Sequence, residues 1–162
     1  MKRAMSILMV CLLVLATTPS FASNGAHFFS AGDSINSAGS LVVNFDEAGL
    51  GNISGNVDYT LTVNEATADY ACLNGGGKHP SAANKEAVSG PVSSPGSFPP
   101  NKNGRIIASI TTGPLPNSSL TCPSGQTFVL ASVSYTGITL TDTTNGLSIS
   151  VPNVSKVFFN IS

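Results

Sequence analysis

The chain has 162 residues, a formal net charge of −1 and 9% charged residues. A chain of this length forms one domain, and its low charge excludes the strongly basic surface on which nucleic-acid binding depends. No segment concentrates Leu, Glu, Lys and Arg over three helical turns, so we expect an all-β protein whose surface is mainly Ser, Thr, Asn and Gly.

The N-terminal segment has the three parts of a secretory signal peptide. Lys2 and Arg3 precede an apolar run, and Ala22 ends a small-residue cleavage signal. The run is shorter than the roughly 20 residues needed to span a bilayer. We therefore expect residues 1–22 to be cleaved. Residues 23–162 would form a single exported domain, secreted, periplasmic or on the cell surface, with no membrane span.

Strand patterns follow along the exported part. Apolar and polar residues alternate at 41–46, 57–63 and 66–72, and residues 128–135 are apolar on both faces, as in a central strand. The apolar positions are odd before Gly137 and even after it. A β-bulge or a break between two strands explains this change, and the glycine favours the bulge.

About nine short strands are predicted in all, separated by turn signals roughly every ten residues, as in sandwiches and barrels. The fold class expected is an antiparallel β-sandwich of immunoglobulin-like character. One region departs from this rhythm. Residues between about 74 and 104 contain several prolines with many Gly, Ser and Asn, a composition that predicts long loops with at most a short strand near residues 85–89.

The cysteine count changes once the signal peptide is removed. Cys11 is lost with it, which leaves Cys72 and Cys122. Two cysteines in an oxidising compartment are expected to pair with each other. A closed loop of about 50 residues corresponds to about 4 kcal/mol in the chain-entropy model.

Basic residues mark the candidate binding site. Lys78, His79, Lys85, Lys102 and Arg105 all lie in or beside the predicted loops. If the loops gather at one end of the domain, that end is positively charged. Such an end could bind an anionic extracellular polymer, or the acidic body of a neighbouring copy.

No constellation of catalytic or metal-ligating residues is recognisable. A nucleophile elbow, a phosphate loop and a calcium loop are all absent from the sequence, and no cofactor or metal is predicted. Asp46 and Glu47 are adjacent in a strand, so they point to opposite faces and cannot act as a pair. A hydrolase using His79 or an aspartate is the least favoured reading.

Two further sequence features concern the recognition of polar ligands. Thr-x-Thr pairs occur at Thr60/Thr62 and Thr139/Thr141, but the sequence shows no regular repetition of the kind that ice-binding ladders need, so β-propensity explains them. A sugar-stacking platform is disfavoured because Trp is absent and only Phe98 and Phe158 are expected to be exposed rings. Hydrogen-bonded sugar recognition stays open.

Two segments resemble small exported bacterial proteins without a known function. They are residues 41–77, with the motifs DEAGLG and CLNGG, and residues 133–146, with SYT and DTTNG. Together they make up about a third of the chain. The resemblance implies export and a β-rich fold, and it assigns no functional residue.

These observations favour a non-catalytic exported β-sandwich that binds an extracellular partner or coats a surface. The alternative is a structural subunit that polymerises through its terminal strands. Apolar segments at Phe28-Phe29 and at residues 157–161 could then pair with a neighbouring copy.

Overall fold

A computed structural model describes residues 25–75 and 84–161. The described part is all-β, contains no helix, and forms eight strands. None of its segments is a helix long and apolar enough to cross a membrane. The predicted signal peptide lies outside the described residues. The strands are β1 His27–Ile35, β2 Leu41–Ala48, β3 Val57–Asn74, β4 Lys85–Phe98, β5 Ile106–Thr112, β6 Gln126–Asp142, β7 Leu147–Val151 and β8 Val154–Val157.

The strands form two antiparallel sheets. The smaller sheet has the order β1-β2-β5. In the larger sheet the order is β4-β3-β6, and β7 and β8 pair with different halves of β6. The prediction of about nine short strands was too high for the described residues, because β3 is one long strand where the alternation pattern suggested two separate pieces.

Strand β4 corrects the prediction of long loops between about 74 and 104. It extends for 14 residues and contains Pro91 and Pro95. Proline cannot donate to a β ladder, which made a strand here appear unfavourable. However, β4 is the outer strand of the larger sheet and pairs with β3 alone, so prolines are tolerated on its unpaired side.

In both β3 and β6, the side chains that face the core change from odd-numbered to even-numbered positions, and the two changes lie at the same level of the sheet. Asn64 and Glu65 are consecutive exposed residues in β3, and they lie opposite Thr136 and Gly137 of β6. Since both strands change together, their register stays constant there. The register shift occurs instead between β3 and β4. Strand β6 is therefore continuous, with the expected change of face at Gly137. We call this level of the sheet the crease.

Gly137 is required at the crease. It has a φ of 64°, and a Cβ atom at this position would lie 2.8 Å from Cβ of Asn64. Its amide also donates a 3.0 Å hydrogen bond to Oδ1 of Asn153, in the connection between β7 and β8. The left-handed backbone and the close approach to Asn64 favour glycine here.

One apolar core lies between the two sheets, and three tyrosines of the larger sheet extend across it. The hydroxyl of Tyr135 donates to the carbonyl oxygen of Gly39 at 2.7 Å. Tyr70 donates to the carbonyl oxygen of Leu115 at 2.6 Å. Tyr59 donates to a carboxyl group, described below. Each hydroxyl thus has a partner, which removes the cost of burying it.

The predicted disulfide is confirmed. Cys72 at the end of β3 is bonded to Cys122, in the segment that leads into β6, with Cα atoms 5.5 Å apart. Glu86 of β4 holds the same segment, because its carboxylate accepts hydrogen bonds from the amides of Ser119 and Leu120 at 3.2 and 2.9 Å. The hydrogen bond from the Ser118 hydroxyl, followed by those from Leu120 and Ser119, lowers the pKa of Glu86 to about 2.

Candidate functional site

The basic residues predicted as a binding site do not gather at one end. Lys85 begins β4, whereas Lys102 and Arg105 follow its other end. A strand of this length separates its ends by about 40 Å. Lys78 and His79 lie outside the described residues. The three of these five residues that the structure describes therefore do not share one end of the domain.

Two of these cations are already engaged. Lys85 Nζ donates to the carbonyl oxygen of Ile161 at 2.8 Å. Arg105 forms a bidentate ion pair with Asp46, which lowers the pKa of that carboxyl group mainly through the hydrogen bond. The guanidinium carbon of Arg105 also lies 5.6 Å from the ring centre of Phe29. The charge of Arg105 is therefore paired, whereas Lys85 keeps its positive charge and is held by a neutral carbonyl oxygen.

The outer face of the larger sheet carries a more regular feature. On this face Ser and Thr side chains lie opposite one another across four strands, because the strands pair in the required register. We call three rows of this face the hydroxyl rungs. From β4 through β3 and β6 to β7 or β8, they are Pro95, Thr60, Thr141 and Ser148; then Ser93, Thr62, Thr139 and Ser150; and then Ser89, Thr67, Ser134 and Ser155.

Sheet geometry sets the spacing of this array. Neighbouring strands are about 4.8 Å apart, and alternate residues along a strand are about 6.8 Å apart. The crease separates the second rung from the third, because Gly137 lies between Thr139 and Ser134. The Thr-x-Thr pairs that the sequence explained by β-propensity thus form rows across strands, a repetition that only the pairing reveals.

Some of the hydroxyl groups bond within the array. Thr141 and Ser148 are 3.0 Å apart, and Thr62 donates to the carbonyl oxygen of Thr139 at 3.3 Å. The hydroxyl groups of Thr139 and Ser150 make no hydrogen bond to another described residue. Because a hydroxyl group both donates and accepts, these two can satisfy a ligand hydroxyl in either direction.

Carboxylates border the rungs at both ends. Beyond the first rung, Asp58 accepts a 2.6 Å hydrogen bond from Ser97. Beyond the third rung, Asp69 accepts one from Ser132. Glu65 lies exposed at the crease between them. No Lys or Arg is present in the rungs themselves, and the three carboxylates make the charge beside them negative. Lys85 of β4 lies on the same face beyond Asp69, where its Nζ is bonded to the carbonyl oxygen of Ile161.

The outer face of the smaller sheet is more apolar. Phe29 and Ile107 are 71% and 73% exposed, and shallow depressions lie on either side of Ile107. Phe98, expected from the sequence to be exposed, instead packs on Phe45 and Tyr59 with ring centres 5.8 and 5.9 Å apart. The sequence therefore identified the wrong rings as exposed.

The most strongly perturbed titratable group is buried between the sheets. Glu47 is 0% exposed, and its Oε2 accepts a 2.7 Å hydrogen bond from the hydroxyl of Tyr59. Its Oε1 has no partner among the described residues. Burial raises the pKa of Glu47 to about 7, and the nearby Asp142 carboxylate adds to this effect, while His27 and the Tyr59 hydrogen bond act in the opposite direction.

Asp142 is equally buried, but its oxygens are satisfied. They accept hydrogen bonds of 2.8 and 2.9 Å from the amides of Thr144 and Asn145, and one of 2.6 Å from the Asn145 side chain. Asp142 thus holds the β6–β7 turn. A substrate has no access to either carboxyl group, so this pair connects the two sheets and does not present a reactive surface.

No protein-family model matches the chain, and no curated protein or solved structure is significantly similar to it. The surfaces of the chain itself are therefore the basis on which its function can be proposed.

Proposed function

We propose that this protein is a non-catalytic exported module that binds an extracellular polymer, and that the hydroxyl rungs are its binding surface. The observation that carries the proposal is the alignment of uncharged hydroxyl side chains across four strands of one exposed sheet face. The cross-strand spacing of about 4.8 Å is on the scale of one sugar residue, which suits a chain with a repeating set of hydroxyl groups.

Export and the immunoglobulin-like sandwich belong to the same proposal. The disulfide between Cys72 and Cys122 and the N-terminal signal pattern support an oxidising compartment. The two packed antiparallel sheets support a sandwich architecture. The non-catalytic role is supported by the burial of Glu47 and Asp142, whose carboxyl groups a substrate cannot reach.

The experiment measures binding of the exported, oxidised protein to insoluble polysaccharide and cell-wall fractions. The test variant carries Thr139→Val and Ser150→Ala, which remove two neighbouring hydroxyl groups of the second rung. Neither hydroxyl bonds to another described residue, so stability should be unchanged. The matched control carries Thr111→Val and Ser109→Ala, which change exposed residues on the outer face of the smaller sheet.

We expect the test variant to bind more weakly than the wild type and the control to bind as the wild type does. Equal binding by both variants would remove the rungs from the proposal. Failure of the unmodified protein to bind any polymer fraction would remove the binding function itself.

Self-assembly is the second candidate function, and exposed apolar residues at the termini favour it. Phe29 follows the start of β1, while Val157 and Phe159 are 69% and 44% exposed at the C-terminal end. In β8 the outward Val157 lies on an edge strand of the larger sheet. Sedimentation of the wild type and of Val157→Lys at high concentration tests this role. If the wild type is a monomer, as the variant is, self-assembly is rejected.

A further inference from the structure

The charge pattern around the hydroxyl rungs suggests which polymers the face accepts. The rungs themselves contain only Ser, Thr and one Pro, so nothing in them attracts an ionic group. Asp58, Glu65 and Asp69 lie on the same face, and Lys85, beyond Asp69, is bonded to the carbonyl oxygen of Ile161. An acidic polymer laid across the rungs would bring its carboxylates or sulfates close to these three groups.

We infer that the ligand of this face is an uncharged polysaccharide, and that Asp58 and Asp69 are specificity residues that exclude acidic polymers. The inference rests on the proposed function, since it names the ligand class of the same surface. It also reverses the expectation of an anionic partner that followed from the basic residues alone.

Geometry supports the choice of an uncharged chain. Sugar hydroxyl groups and Ser or Thr hydroxyl groups can each donate and accept, so successive sugars can bond to successive strands without a fixed direction. The methyl groups of Thr62, Thr67 and Thr139 add small apolar contacts suited to the C–H faces of sugars. Salt should not weaken such contacts, because no ion pair is involved.

The carboxylates act at the borders of the surface. Asp58 is exposed and held by Ser97, whereas Asp69 is half-buried and held by Ser132. These hydrogen bonds fix both carboxylates on the outer face, one beyond each end of the rungs. A carboxylate can still accept a hydrogen bond from a neutral sugar, so an uncharged chain loses nothing from their presence.

The experiment compares three soluble polymers at low and high salt: a neutral β-linked glucan, a polyuronate and a polymer of amino sugars. The proteins are the oxidised wild type, the Asp58→Asn/Asp69→Asn variant, and the Thr139→Val/Ser150→Ala variant with its Thr111→Val/Ser109→Ala control. We expect the wild type to bind the glucan equally at both salt concentrations and to bind no polyuronate.

The variants should separate the two parts of the inference. Asp58→Asn/Asp69→Asn should keep glucan binding and gain binding to polyuronate. Thr139→Val/Ser150→Ala should weaken glucan binding about tenfold, the effect of losing roughly two hydrogen bonds, while the control stays at the wild-type value.

Different failures point to different errors. Salt-sensitive binding of the wild type to the polyuronate or the amino-sugar polymer, without glucan binding, overturns the ligand class but leaves the proposed function intact. Glucan binding with no gain of polyuronate binding in Asp58→Asn/Asp69→Asn rejects these residues as specificity residues. Glucan binding that is unaffected by Thr139→Val/Ser150→Ala overturns the rungs as the binding surface, and with them the specificity inference, but leaves the polymer-binding function intact.

Discussion

Tyr59 of the larger sheet donates a 2.7 Å hydrogen bond to the buried carboxyl group of Glu47 in the smaller sheet. This contact connects the sheets beside a second buried carboxyl group, that of Asp142. Burial of Glu47 without a partner for Oε1 is costly when the group is charged and less so when it is protonated. The packing of the sheets is therefore linked to the protonation of one side chain.

The first prediction concerns the pH dependence of stability. The pKa of Glu47 is raised from 4.5 to about 7 in the folded protein. Its contribution to stability is thus fully present below pH 4.5 and is lost as pH rises towards about 7, which amounts to about 3 kcal/mol. Glu47→Gln should remove this slope. Urea unfolding of both proteins at several pH values between 4.5 and 8 measures this dependence of the free energy of unfolding on pH.

An exposed carboxyl group provides the control for that experiment. Glu65→Gln changes a solvent-exposed residue of β3 and should leave the slope in place. Asp46 and Glu86, whose pKa values are lowered, lose their stabilising contributions only as pH falls below the chosen range. Parallel pH profiles for the wild type and Glu47→Gln would show that Glu47 is not the group responsible.

The second prediction concerns the crease. Gly137→Ala combines a positive φ of 64° with a Cβ contact of 2.8 Å to Asn64, so it should destabilise the protein by about 1–3 kcal/mol. Gly146 has a similar φ of 72° but open space around its Cβ position. The loss of unfolding free energy in Gly146→Ala therefore reports the backbone strain alone. Chemical denaturation of both variants gives the two losses, and the difference between them is the part caused by the contact with Asn64.

A second-site change tests the steric explanation directly. Asn64→Gly removes the side chain that the new Cβ would meet. The double variant Asn64→Gly/Gly137→Ala should therefore be less destabilised than the sum of its single changes. Simple additivity would mean that the two positions do not interact.

The third prediction concerns the disulfide. Reduction of Cys72–Cys122 should lower the free energy of unfolding by about 4 kcal/mol, because the bond closes a loop of 50 residues in the unfolded chain. Cys72 is fully buried and stays a small apolar group after reduction, so core packing changes little. Urea denaturation with and without reductant measures the difference. A change well below 1 kcal/mol would indicate that the unfolded chain is already constrained.

Part of this fold could be predicted because the alternation of apolar and polar residues along a strand indicates which side chains are buried. The apolar positions of β2 and β3 indicated both strands and their inward faces, and the change of parity at Gly137 was visible in the sequence. Strand β4 could not be recognised, since its prolines indicate a loop unless one knows that it lies at the edge of a sheet.

The candidate surfaces depended on information that the sequence does not contain. Glu47 lies at the next odd-numbered position of β2 after Val43 and Phe45, which face the core, so its burial could have been predicted. Its partner Tyr59 could not, because it lies in the other sheet. The hydroxyl rungs depend on which strands are neighbours. Thr62 and Thr139 are far apart in sequence and become adjacent only through the pairing of β3 with β6.

The crease also limits the shape of any object that the outer face can cover. The register shift between β3 and β4 lies at this level, and a bulge of this kind increases the local twist of a sheet, so we expect the rungs on its two sides to be tilted relative to each other. A rigid flat body, such as a crystal of ice or a crystalline fibre, could rest on Thr62 and Thr139 or on Thr67 and Ser134, but not on all four at once. A pliable single strand of polymer can follow the bend and use the whole face.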